Sequence, residues 1–346
     1  MGKKVKNKDI AARLGLSGTL VSLVLNNKAD QHGIKKETQE RVLAVARQMG
    51  YFAAAADRGE TVAAEEKPGI IGMIVPSMND PFIYEITPYL QKAFSSIGLG
   101  FSVFTRDHDD LRFNRLTTSL KKFFSGMILV GNAADDSVVR SLNRDAYPLV
   151  LLEKSVKRMR LNTVCTDRIA GASLMTQHLV SLGLKNILII SMEDSASYDK
   201  EILDELKSAT KKSKSFDSVN FTVAQLPKAG EKFDFSQIEN YMRPPHRSDV
   251  IITINSPLVF PLYQSLLDRH IRIPQDVALV SMEDGIGFDL LCTPVTRLRR
   301  PLTAMSLKVA NIIWSEVKNQ GKSKYKRQVN MSPELLVRSS CGSYLK

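Results

Sequence analysis

The sequence predicts an α/β protein in two parts: an N-terminal three-helix helix-turn-helix head and a two-lobed core built on doubly wound parallel sheets. Three observations carry this. The stretch Asn7 to Asn27, NKDIAARLGLSGTLVSLVLNN, reads as two short amphipathic helices about a glycine turn. From Ile70 onward, short apolar runs alternate with amphipathic stretches in two successive sets, the pattern of buried parallel strands joined by helical crossovers. Finally, 346 residues with 43% hydrophobic composition are too many for one small domain and suit a head of about 60 residues and a core of about 280 in two lobes. The implied boundaries are 1–52 for the head, 53–67 for a linker and 68–346 for the core.

In the head, the first helix is expected from about Lys8 to Leu14, with Ile10 and Leu14 on one face and the small Ala11 where a second helix approaches. Gly15 breaks it, Leu16 plugs the turn, and Ser17 is an N-cap ahead of the stripe Leu20, Val21, Val24 and Leu25. Gly18, Thr19, Ser22, Leu23 and Asn26 are left on the outer face. Small and polar side chains there suit a helix whose N-terminal end enters the major groove, while Ser17 and nearby backbone N–H groups meet phosphates. A third helix from Lys36 to Met49 closes the core through Val42, Val45, Ala46 and Met49. An ordinary αα-hairpin is the lesser alternative for residues 7–27 in isolation, since helix pairs with a glycine turn are common; the basic flank Lys3, Lys4, Lys6 and Lys8 and the third helix reduce it further.

The charge distribution points the same way. The formal net charge is +12, and the first 60 residues supply about +5 of it, which implies a polyanionic partner, most simply double-stranded DNA. No apolar run of about 18 residues and no apolar signal segment occurs, so the expected location is the cytoplasm, without a membrane partner. Cys165, Cys292 and Cys341 are odd in number and far apart, against a disulfide framework or a zinc site; two are expected to be packed and one to be a tail thiol. No cofactor or metal is expected. Neither a GxSxG elbow nor an HExxH motif is present, and the five histidines are scattered, with His178 inside a helix, so an enzyme is not expected.

In the core, strands are expected at Ile70 to Val75, Phe101 to Thr105, Met127 to Val130 and Leu149 to Leu152, with helices near Phe82 to Ser96, Asp110 to Phe124 and Asp136 to Arg144. A second set places strands at Ile187 to Ser191, Ser218 to Val223, Val250 to Ile254 and Val277 to Met282, and helices near Ala170 to Leu182, Lys200 to Lys211, Phe235 to Arg243 and Leu258 to Arg269. A helix from Leu302 to Val317, a basic polar stretch and an apolar run at Leu335 to Val337 end the chain. Ligands of such sheets bind beyond the carboxyl ends of the strands. The residues there include Asn79, Asp80 and Phe82, Glu153, Asn255 and Ser256, and Glu283 and Asp284. Carboxylates and amides beside Phe82 and Tyr84 suit sugar hydroxyls, which need paired donors and acceptors and a flat apolar wall.

The run DIAARLGLSGTLVSLVLNN, with Thr38, Arg41, Val42, Ala46 and Gly50-Tyr51 after it, resembles the DNA-binding head of the lactose-repressor-like (LacI/GalR) family of bacterial transcription regulators. VPSMNDPF, GMILVG, VCTDRIAGASLMTQHLVSLGLKNILII, IPQDVALVSMED and PELLVRSS follow in that family's order, so the resemblance covers nearly the whole chain. It implies a core of the periplasmic-sugar-binding-protein fold, a homodimer reading a near-palindromic operator, and a small-molecule effector, sugar-like, that controls operator affinity; a repressor is the expected sense. Glu153 and Glu283 match positions where an acid meets effector hydroxyls, and Asn255 matches an amide. Lys200 stands loosely for an arginine, Ser256 replaces an aspartate, and Arg300 replaces a common glutamine, so with Arg297 and Arg299 it admits an anionic effector.

Two departures concern DNA. Ala53, Ala54 and Glu60 replace the proline, asparagine and leucine wedge of the family's hinge helix, though Arg58 is retained for a phosphate. Leu23 replaces a common arginine, which predicts an A·T-tolerant half-site. The expected DNA-binding set is Lys6, Asn7, Ser17, Gly18, Thr19, Ser22, Leu23, Asn26 and Arg58; the expected effector set is Asn79, Phe82, Tyr84, Glu153, Lys200, Asn255, Glu283 and Arg300. A solute-binding protein of the same core fold is the alternative.

Overall fold

The structure is a computed structural model; it describes residues 7–25, 29, 32–49, 69–106, 117, 119–156, 158–192, 202, 204–206, 208, 219–226, 234–243 and 247–345. The chain divides into two units, Met1–Pro68 and Gly69–Lys346. In the first, α1 (Asn7–Leu14), α2 (Gly18–Leu25) and α3 (Lys36–Gln48) surround a small core of Ile10, Ala11, Val21, Val24, Ala29, Val42 and Ala46. Leu16, Leu20, Leu25, Val45 and Met49 pack half-buried against it. Gly15 turns the chain at φ +66°, a left-handed conformation that favours glycine. Ser17 then caps α2, with the Leu20 N–H donating to its Oγ at 3.2 Å.

The second unit contains two six-stranded sheets. The first lobe has β1 (Ile70–Val75), β2 (Gly100–Thr105), β3 (Gly126–Val130), β4 (Leu149–Leu152), β5 (Thr163–Thr166) and β11 (Gln328–Met331), in the order β11-β5-β4-β3-β1-β2, all parallel. Helices α4 (Pro81–Ser95) and α5 (Asp136–Arg144) connect within it. The second lobe has β6 (Asn186–Met192), β7 (Asn220–Leu226), β8 (Val250–Thr253), β9 (Ala278–Ser281), β10 (Thr296–Arg299) and β12 (Glu334–Leu336), in the order β12-β10-β9-β8-β6-β7, with only β12 antiparallel. It carries α6 (Arg168–Ser181), the single turn α7 (Ser236–Glu239) and α8 (Val259–Asp268). α9 (Leu302–Lys318) returns to the first lobe and buries Met305, Val309, Ile312 and Ile313 there.

The eight strands expected from apolar runs are present, but four were not foreseen. β5, β10, β11 and β12 are short and partly polar, and β11 and β12 lie at sheet edges, so none reads as a continuous apolar run. The expected helix Asp110 to Phe124 stops at Leu120, because Lys121–Phe123 form a turn into β3; residues 110–116 lie outside the described residues. The stretch Phe235 to Arg243 is only one α-turn followed by a 3₁₀ turn, Asn240–Met242. Of 200–211 only 202, 204–206 and 208 are described, and they are helical. The tail thiol is another correction: Cys341 is buried, its Sγ 3.3 Å from His178 Nε2, whereas Cys292 is exposed.

Candidate effector cleft and DNA-reading surface

On α2 the residues of the outer face are graded. Ser17, Gly18 and Thr19 are exposed, while Ser22 and Leu23 are half-buried, as is Asn7 at the start of α1. The first turn of α2 therefore projects most, with backbone N–H groups that no preceding turn satisfies. Lys6, Asn26 and Arg58, and the hinge positions Ala53, Ala54 and Glu60, lie outside the described residues.

In the core, the chain passes between the lobes three times: from β5 into α6, from β10 into α9 and from β11 into β12. The candidate cleft lies against these crossovers. Glu153 follows β4 at φ +52°, a left-handed conformation that costs a non-glycine residue about 1–2 kcal/mol. The turn delivers its carboxylate to the first crossover, where Oε1 accepts from the Thr166 N–H at 3.0 Å and from the Thr166 hydroxyl, and Arg168 Nη2 lies 3.7 Å from Oε2. From the second crossover, Arg300 places Nη2 2.7 Å from Glu283 Oε1 and Nε 3.8 Å from Glu153 Oε1, and its guanidinium lies 4.8 Å from the centre of the Phe82 ring. Glu283 is steadied by the Ser256 N–H, 3.0 Å from Oε2, and Asn255 Oδ1 accepts from the Met192 N–H at 3.0 Å.

Phe82, Glu153, Glu283 and Arg300 thus form one cluster drawn from both lobes, with Asn255 next to its Ser256 support. Asn79 and Tyr84 stand apart. Asn79 is exposed in the β1–α4 loop, and Tyr84 is 66% exposed where Phe82 is 7% exposed. Two residues apart on a helix are about 200° apart around it, so Phe82 and Tyr84 cannot form one wall. Lys200 lies outside the described residues.

The arginine cluster does not offer free charge. Arg297 is 5% exposed and donates to Asp284, and to Asp289 Oδ2 at 2.7 Å and Oδ1 at 3.0 Å; Arg338 joins at 2.7 Å from Asp289 Oδ1. Hydrogen bonds from Arg297 and Arg338 hold the Asp289 carboxyl well below the usual carboxylate range. Arg299 pairs with Glu334 at 2.8 Å. Acids nearby behave oppositely. Burial pushes the Asp80 pKa up, although its Oδ1 caps α4 by accepting from the Phe82 N–H, and burial raises Glu85 as well.

A cavity of about 20 Å³ remains between the lobes, lined by Thr166, Arg168, Gly171, Ile202, Met282, Leu298, Arg300 and Pro333. That is room for about one water molecule, so any larger ligand enters only when Arg300 moves or the lobes part. Of this lining only Arg300 was among the expected residues. Thr166 and Arg168 flank Asp167, which caps α6 through Ala170 N–H at 2.9 Å, so the cap signal of a strand-to-helix junction was available there. A Cβ on Gly171 would meet Leu298 and Pro333 at 3.0 Å, which explains glycine at this close approach. Among the described residues, no group of three or more His, Cys, Asp or Glu side chains could hold a metal ion.

A head with an open reading helix, joined to two lobes closed over a polar cleft, defines the class of DNA-binding transcriptional regulators. Residues 7–53 match the bacterial regulatory proteins of the lacI family and residues 176–341 match the periplasmic binding protein-like domain. The chain thus joins a LacI-family DNA-binding head to a periplasmic-binding-protein-like core, the make-up of a DNA-binding transcriptional regulator. It is 23% identical over 340 residues to the HTH-type transcriptional regulator DegA of Bacillus subtilis, covering 96% of each chain. It is also 23% identical over 343 residues to the HTH-type transcriptional repressor PurR of Haemophilus influenzae, covering 98% of this chain and 99% of the relative. Among solved structures, the lac repressor dimer bound to operator and an anti-inducer aligns over 98% of this chain and 99% of its own, with a TM-score of 0.67 at 16% identity. A LacI family regulator from Enterococcus faecium with bound ribose aligns over 78% of this chain and 98% of its own, with a TM-score of 0.64 at 18% identity. No helix of the described residues is long and apolar enough to cross a membrane.

Proposed function

We propose that the protein is a homodimeric, cytoplasmic repressor, without catalytic activity, whose operator affinity is set by a neutral, sugar-like effector that takes the place of Arg300 between Glu153 and Glu283. The carrying observation is the cluster itself: paired carboxylates and the Phe82 ring, the groups that suit a polyol, are engaged by a side chain of the same protein. A sugar's hydroxyls can donate to both carboxylates, where Arg300 donates to Glu283 and lies 3.8 Å from Glu153, and its apolar face replaces the guanidinium on Phe82. A neutral ligand is favoured over an anionic one because Arg297, Arg299 and Arg300 are each already paired, while Asp80 and Glu85 add negative charge nearby. The sugar class also agrees with ribose bound to the Enterococcus regulator, and the repressor sense with the naming of the Haemophilus relative. Two-fold pairing fits a head whose single short helix spans only a few base pairs.

The test measures binding of the full chain to DNA upstream of its gene, against scrambled DNA, across a salt series, and then adds neutral and phosphorylated sugars. Discrimination of about a thousandfold that falls steeply with salt establishes operator reading, whereas equal weak binding to both DNAs overturns it in favour of a solute-binding protein. A neutral sugar is expected to shift operator affinity. Arg300→Gln is expected to strengthen that sugar about tenfold, because no ion pair then has to break. Response only to phosphorylated sugars, lost in Arg300→Gln, would show instead that Arg300 is an anion receptor.

A further inference from the structure

One edge of the first lobe carries cations with no carboxylate partner among the described residues. Because its six strands are parallel, Ile70, Gly100, Gly126, Leu149, Thr163 and Gln328 begin at one edge, opposite the cleft. The segment that leads to the head joins the core at this edge, through Gly69. Exposed Lys122, just before β3, and exposed Lys322, Lys324 and Arg327, just before β11, stand here, and none pairs with a described carboxylate. The carboxylates that meet lysines at this edge are taken: Asp145 by Lys121 and Glu316 by Lys326.

Helix C-termini attract basic side chains, which accounts for Arg144 in α5 and Lys318 in α9. That effect falls off within the last turn, so it does not reach the loop residues Lys322, Lys324 and Arg327. This loop also encloses a groove of about 290 Å³, whose lining includes Asn162, Ser323 and Tyr325 beside the three cations, with Glu316 as its one carboxylate, buried and paired with Lys326. Tyr325 is 77% exposed. Hydroxyls, amides and cations in an open groove are phosphate-binding chemistry. The patch is also too wide for one phosphate. β3 and β11 are three strand spacings apart, about 14 Å, a length along which duplex DNA presents roughly eight charges.

We infer that this edge is a second, sequence-independent DNA-binding surface, which takes the phosphodiester backbone of duplex flanking the operator. It rests on the reading that the head binds an operator. Nineteen residues, twenty Cα–Cα steps, separate Met49 from Gly69, so the edge stays within about 70 Å of a bound head and meets flanking duplex at high local concentration.

The experiment uses the full chain and an operator selected by wild type from random-sequence DNA, as duplexes of about 20 and about 60 base pairs. Lys322→Gln/Lys324→Gln/Arg327→Gln is compared with wild type and with the second-lobe and mid-α9 control Lys185→Gln/Arg243→Gln/Lys308→Gln. On the long duplex the first variant is expected to bind at least tenfold more weakly, with a log affinity against log salt slope shallower by about 3, and to equal wild type on the short one. The corresponding glutamate variant should deepen the loss, and unchanged thermal melting of each variant shows that the fold persists. Equal loss on both lengths, no loss on either, or the same loss in the control overturns the inference. If wild type selects no sequence, operator reading itself fails, and the slope on a random duplex of about 60 base pairs then decides the edge separately: unchanged slope rejects it.

Discussion

The first turn of α2 and the cleft between the lobes are both candidate binding surfaces, yet they are built in opposite ways. Ser17, Gly18 and Thr19 are exposed. In the cleft, Glu153, Glu283, Arg300 and Phe82 satisfy one another, and Arg297 is held by Asp284 and Asp289. One surface can meet its ligand as it stands; the other must exchange internal contacts for external ones. Affinity at the first is governed by what is presented, and affinity at the second by the difference between two sets of contacts.

The largest effect is expected where nothing has to be exchanged. Thr19→Glu puts a carboxylate on the exposed turn of α2, against DNA phosphates, and should weaken operator binding at least a hundredfold while leaving core stability unchanged. Gel-shift titration with melting of the core as control checks this, and retained binding would remove Thr19 from the interface. Arg297→Ala probes the cleft: it leaves Asp284 unpaired in a half-buried place and should cost the core about 3 kcal/mol in urea unfolding. The pH dependence supplies the sign. Because the folded pKa of Asp289 is depressed, its stabilisation is present above the unfolded value near 3.8 and is lost as pH falls below it, so Asp289→Asn should flatten the acid limb of the stability curve below about pH 4. The smallest change expected is Leu23→Arg, which should move half-site preference toward guanine by about tenfold in a randomised-site selection; an unchanged preference would place Leu23 away from the bases.

The same contrast explains what was legible in the sequence. The head could be read from local rules, since its Gly15 turn, Ser17 cap and apolar stripe are separated by only a few residues. Buried strands such as β3 and β8 were plain because every side chain is apolar or nearly so. The cleft was half-legible. Strand ends nominated Phe82, Glu153 and Glu283, but Thr166, Arg168 and Pro333 belong to crossovers whose strands are too short and too polar to recognise, and their partners are 13 residues or more away in sequence or across the lobes. Arg297 shows the limit best. Three arginines within four residues read as an anion-seeking patch, and the acids that neutralise two of them lie in a segment read separately.

Arg300 is two residues from the start of α9, and α9 ends at Lys318, four residues before the basic loop. Seventeen helical residues make a rod about 25 Å long, seated on the first-lobe core along one side. A tilt of about 5° about the cleft end of such a rod would carry its far tip roughly 2 Å. The residue that the proposed effector would displace therefore stands at one end of α9, and the other end lies at the edge where the core is joined to the head.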